Sequence, residues 1–147
     1  CESVHVLYPH IATPLFVQQN MYDTNQLFAQ LQAPQNFSDP QLLDYVRYFG
    51  EAMRASTSQV VPANGMFLAS CLDHVAGLGV GGSTQSGTGL NATNMLGDWF
   101  WQRNQLSHMY VDACKGAAQP HLPCNPSCTG IPTSGGCQAE LTKVCPG

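Results

Sequence analysis

The chain has 147 residues, 44% of them apolar and only 10% charged, and a net charge of -4 at pH 7. The apolar content suffices for a core, whereas five Lys plus Arg with no basic stripe exclude nucleic acid as a partner, because neutralising phosphates needs clustered cations. No apolar run approaches the roughly 18 residues of a membrane-spanning helix, so no membrane span is expected.

In chain order, the first element is the apolar stretch within Ile11 to Met21. It is too short for a helix, and its Pro-preceded Leu15-Phe16-Val17 centre fits a buried strand of a parallel sheet. Its end delivers Tyr22 and Asp23. Gln32 to Asn36 reads as loop, and Ser38-Asp39-Pro40-Gln41 has capping-box spacing with Pro in the first turn. Leu42, Tyr45, Val46, Phe49 and Met53 then recur at helical spacing, which predicts an amphipathic helix from Asp39 to about Ser56. After the turn-prone Pro62-Ala63-Asn64-Gly65, Met66 to Ala69 is a second buried strand, and the polypeptide soon reaches His74. Strand, helix, strand at these lengths implies a right-handed parallel crossover.

Gly77 to Gly89 holds six glycines in thirteen residues and no aromatic, and reads as a flexible loop. Thr93 is placed to cap a helix carrying Leu96, Trp99, Phe100, Arg103 and Leu106. Nothing beyond Cys114 is periodic, and Pro120 to Gly147 reads as a tail tied by cystines. The expected organisation is one α/β portion, residues 1–113, with the Cys- and Pro-rich tail, 114–147, packed on it.

Seven cysteines stand at Cys1, Cys71, Cys114, Cys124, Cys128, Cys137 and Cys145. Their density in a Lys-poor chain points to disulfides and an oxidising, extracellular compartment. The sequons Asn36-Phe37-Ser38 and Asn91-Ala92-Thr93 make Asn36 and Asn91 expected N-glycosylation sites on a secreted route. The sequence opens at Cys1 with neither Met nor signal peptide, which is expected of a processed product or part of something longer. An odd cysteine count leaves at least one for a bond outside the chain, with Cys1 or Cys71 as candidates.

An acid after one strand and a histidine after the next are the later members of an α/β-hydrolase triad, whose order is Ser, Asp, His. Asp23 and His74 stand so, although Asp73 beside His74 is equally available as the acid at this point. His5, His10, His108 and His121 lack the spacing of zinc ligands. Cys124 and Cys128 have the spacing of a metal knuckle, but in a Pro-rich tail disulfides are favoured, and no cofactor is expected. No G-x-S-x-G elbow is present: Ser83 has Gly81 before it but Gln85 after it, Ser86 lacks both flanking glycines, and both follow His74. The Gly81-Gly82 and Gly87-Thr88-Gly89 elements have no following Lys and are not a phosphate loop.

Five stretches in series, Thr13 to Val17, Tyr22 to Leu27, Asn64 to His74, Gly97 to Arg103 and Leu122 to Cys128, resemble the pectin acetylesterase and Notum family of secreted carboxylesterases. The most specific are S-C-x-x-H, D-W-F-x-x-R and the Cys-Pro tail. The resemblance implies the C-terminal part of an α/β-hydrolase fold, a parallel sheet with crossover helices plus a disulfide-rich tail. It also implies Asp23 as triad acid, in preference to Asp73, and His74 as base. The nucleophile and the oxyanion loop would lie on an N-terminal chain of the same precursor, disulfide-linked to this one. The implied activity is deacylation of cell-wall polysaccharide or of glycoprotein acyl esters. Relatives of the plant type carry Cys where Val75 stands, and the Gly77 to Gly89 loop replaces their polar and aromatic stretch. These departures motivate the alternative expectation, a non-catalytic extracellular glycoprotein that keeps the fold and assembles with matrix proteins.

Overall fold

The computed structural model describes residues 4–33, 39–60, 64–74, 91–103 and 108–113, together with Pro123, Asn125 and Cys128. The 77–89 segment, Ser38, Val75, Leu106, the sequon at Asn36, and Cys1, Cys114, Cys124, Cys137 and Cys145 lie outside the described residues.

A one-turn helix α1 (Val4–Leu7) and a 3-10 turn (Tyr8–His10) lead into strand β1 (Phe16–Tyr22). A π-helical turn (Asn25–Gln30) follows, then helix α2 (Pro40–Thr57), strand β2 (Gly65–Leu72), helix α3 (Ala92–Phe100) and the short strand β3 (Met109–Val111). The three strands form one sheet in the order β1-β2-β3, and both pairings are parallel. The fold is α/β, with α2 as the crossover between β1 and β2.

Every residue of β2 is buried, which explains its nearly uninterrupted apolar sequence: a central parallel strand is covered on both faces. Met66, Leu68 and Leu72 pack with Val17, Met21, Leu27 and the α2 residues Leu42, Leu43 and Val46. Phe67, Ala69 and Cys71 pack with Ala92 and Met95 of α3 and with Cys128. Burying each large aliphatic side chain contributes about 1.5–3 kcal/mol. Strand β2 extends past Ala69 to Leu72 because Ser70, although polar, is wholly enclosed and its carbonyl accepts the Asn125 N–H at 3.1 Å.

Helix α2 begins where the sequence places it, and its cap is Asp39, whose carboxylate accepts the Gln41 N–H at 2.9 Å. Helix α3 is capped by Asn91 rather than Thr93: the Asn91 side chain accepts the Asn94 N–H at 2.7 Å. It also stops at Phe100, well short of Arg103, as the backbone enters the left-handed region at Gln102 (φ 49°). The Asp98 and Arg103 of D-W-F-x-x-R then pair with each other, Nε to Oδ1 at 3.2 Å. Trp99 stacks obliquely on Phe16, centroids 5.6 Å apart, as a packing residue. Phe100 and Trp101 are exposed.

Candidate active site

Parallel pairing brings the C-terminal ends of β1 and β2 to the same edge of the sheet, where α/β folds place their working residues. Tyr22 is in register with Leu72, so Asp23 and His74 leave adjacent strands one and two residues later. Between the Asn20–Ala69 and Tyr22–Leu72 pairs, β2 carries one extra residue, a bulge of the kind that re-aims side chains beside functional sites.

The Asp23 side chain is almost completely buried, and His74 Nδ1 lies 3.0 Å from both of its carboxylate oxygens. A carboxylate only accepts, so Nδ1 carries the proton of this bond, and Nε2 is left as the ring's acceptor in the neutral form. About half of the His74 side chain is exposed, and Nε2 has no hydrogen-bond partner among the described residues. Asp73 is oriented elsewhere: its Oδ1 accepts the backbone N–H of His74 at 2.6 Å. The two aspartates that sequence position leaves open are thereby separated, Asp23 on the imidazole and Asp73 on the backbone.

Several bonds hold this pair. Asp23 Oδ1 accepts the Gln26 N–H at 3.0 Å and the Asp23 carbonyl accepts the Leu27 N–H at 2.9 Å, which starts the π-helical turn. Such turns recur at functional sites. On the other oxygen, Gln19 Nε2 donates to Oδ2 at 3.2 Å. Asn20 Nδ2 donates to the Asp73 carbonyl at 3.2 Å, and the Asp73 N–H donates to the Tyr22 carbonyl at 3.2 Å. The loop carrying His74 is thus tied to the strand carrying Asp23.

A second group of buried polar residues fastens β2 from its other side. Asp112, just after β3, donates its N–H to the Leu68 carbonyl at 2.8 Å, and its carboxylate accepts Asn125 Nδ2 at 2.6 Å. Cys71 and Cys128 form a disulfide with Cα atoms 5.5 Å apart. Cys71 is therefore used within the chain, which corrects its candidacy for a bond outside it, and Cys128 is not a metal ligand. Among the described residues no group of three or more His, Cys, Asp or Glu side chains is placed to hold a metal ion.

A comparison with family sequence models matches residues 1–129 to the family described as Pectinacetylesterase. The chain belongs to the pectinacetylesterase family. No match is found among curated proteins. In this pectinacetylesterase-family chain the described helices include none long and apolar enough to cross a membrane. Sequence reasoning missed Gln19, Asn20 and Asp112. The one available signal was the run Gln18-Gln19-Asn20, three carboxamides inside an otherwise apolar strand.

Proposed function

We propose that this chain supplies the acid and base of a secreted serine carboxylesterase, Asp23 and His74, to a nucleophilic serine carried by polypeptide outside this sequence. The observation that carries the reading is the symmetric 3.0 Å contact of His74 Nδ1 with the buried Asp23 carboxylate, at the ends of adjacent parallel strands. Membership of the pectinacetylesterase family supports ester hydrolysis as the reaction.

In this scheme Asp23 holds the Nδ1–H tautomer, and His74 Nε2 removes the proton of the serine hydroxyl as its oxygen attacks the ester carbonyl carbon. The imidazolium so formed, stabilised by Asp23, returns the proton to the departing alcohol as the tetrahedral adduct collapses to an acyl-serine. Water, deprotonated by the same Nε2, then attacks the acyl-serine; the carboxylic acid leaves and the serine recovers its proton. The substrates are acyl esters of cell-wall polysaccharide or glycoprotein. The partner is the N-terminal chain of the same precursor. Residues 1–113 make up the α/β portion and 114–147 a tail packed on it, with glycans at Asn36 and Asn91.

A fluorophosphonate probe applied to the intact secreted protein tests the reading, since it reports serine activation without the natural substrate. Labelling of the wild type is expected, with a fall of at least ~10³-fold in rate for His74→Ala and for Asp23→Asn. Labelling that is indifferent to both substitutions would remove the assignment.

A further inference from the structure

We propose that Gln19 is a positioning residue for Asp23, a role that rests on the esterase reading above. Gln18-Gln19-Asn20 sits between Val17 and the buried Met21-Tyr22, so carboxamides occupy the middle of a strand where apolar or β-branched residues pack best. A local rule broken inside a core element points to function. The Gln19 and Asn20 amides are directed at the neighbourhood of the dyad: Gln19 to Asp23 Oδ2, and Asn20 to the carbonyl of the residue before His74.

The geometry explains why a second donor is needed on Asp23. The Gln26 backbone N–H fixes only Oδ1, and a carboxylate held at one oxygen still turns about its terminal torsion. Turning makes the two His74 contacts unequal and swings the imidazole with it. Gln19 Nε2 fixes Oδ2 and so sets the carboxylate plane, while its remaining proton reaches the Asn20 carbonyl at 3.2 Å, which holds the amide itself. The orientation of the Gln19 amide is unambiguous, because a carboxylate accepts and only the nitrogen of an amide donates. A misplacement of about 1 Å at a catalytic group costs on the order of 10²-fold in rate; a tilted but still bonded carboxylate should cost about tenfold.

The test is a double-mutant cycle in the serine-containing intact protein, reading kcat and KM on a simple acyl ester together with the melting temperature. Gln19→Met keeps the shape and removes the donor, and Gln19 is only partly buried, so folding should be preserved; Gln19→Leu, likewise without a donor, repeats the measurement if the Met variant does not fold. The expected result is kcat lowered about tenfold with KM and melting temperature unchanged, and no further loss when Gln19→Met is added to Asp23→Asn. Equal losses in both backgrounds, or no loss in either while Asp23→Asn remains strongly impaired, would overturn the positioning role alone. Full activity of Asp23→Asn would overturn the esterase reading and this role with it.

Discussion

Tyr22 closes β1 immediately before the proposed triad acid, and only 2% of it is exposed. Burial of the phenol, which disfavours the charged phenolate, pushes its pKa up from 10.0 to about 12, against a smaller opposing effect of its hydrogen bond with Ser70. Unfolded chains release this proton near pH 10, whereas the folded protein holds it to about 12. The unfolded state therefore binds fewer protons between those values, so stability is complete below pH 10 and falls as pH rises through 12. Two units correspond to roughly 2–3 kcal/mol. Urea unfolding of the intact protein over pH 9 to 12 should show this loss, and Tyr22→Phe should flatten the part of the curve that Tyr22 contributes. An unchanged pH dependence in Tyr22→Phe would mean that the phenol ionises as freely in the folded state as in the unfolded one. The same residue scale limits what sequence reveals at the site. By position alone Asp23 and Asp73 are not distinguishable; the family motifs favour Asp23, and in the structure its carboxylate faces the His74 imidazole while that of Asp73 accepts the His74 backbone N–H.

Helix α2 lies against this tyrosine through Gly50. A Cβ there would overlap the Tyr22 ring, with Cζ only 2.7 Å away, so the close approach of helix and strand requires glycine. In an exposed helix interior, Gly→Ala stabilises by up to about 1 kcal/mol; Gly50→Ala should instead destabilise by about 1–3 kcal/mol through overpacking, measured as a lower urea midpoint at unchanged slope. A stabilised Gly50→Ala would mean that Tyr22 moves aside freely. Elements were legible in sequence to the extent that local chemistry defines them. For α2, the Asp39-Pro40 start and the Leu42, Val46, Met53 spacing were both informative. For α3 only the presence of a helix was legible: its buried residues are Ala92 and Met95 while Phe100 is exposed, and its ends differ because Asn91 and Thr93 are both competent caps and no Gly or Pro marks the stop before Gln102. Strand β3 is not legible in sequence, since three residues are too few to show a period, and its place is set by β2 rather than by its own sequence.

At the scale of the whole molecule, Asn125 and Cys128 are fastened to β2. The disulfide between Cys71 and Cys128 closes a loop with a sequence separation of 57, and both residues are buried. The sequence indicated that cystines tie the tail, but not which ones, because pairing depends on Asn125 docking against Ser70 and Asp112. By loop-closure entropy a crosslink of that span stabilises by about 4 kcal/mol, so Cys71→Ser/Cys128→Ser should lower unfolding stability by up to that amount. Its effect on chemistry should differ. His74 is reached from β1, through Asn20 to the Asp73 carbonyl and through the Tyr22 carbonyl to the Asp73 N–H, and none of these bonds includes the tail. In conditions where the double variant remains folded, fluorophosphonate labelling should therefore stay within a few-fold of the wild type, while the urea midpoint drops. A labelling rate as low as that of His74→Ala in a folded double variant would assign the placement of the histidine to the crosslinked tail, and would transfer to Cys71, Cys128 and Asn125 the role that the geometry gives to β1.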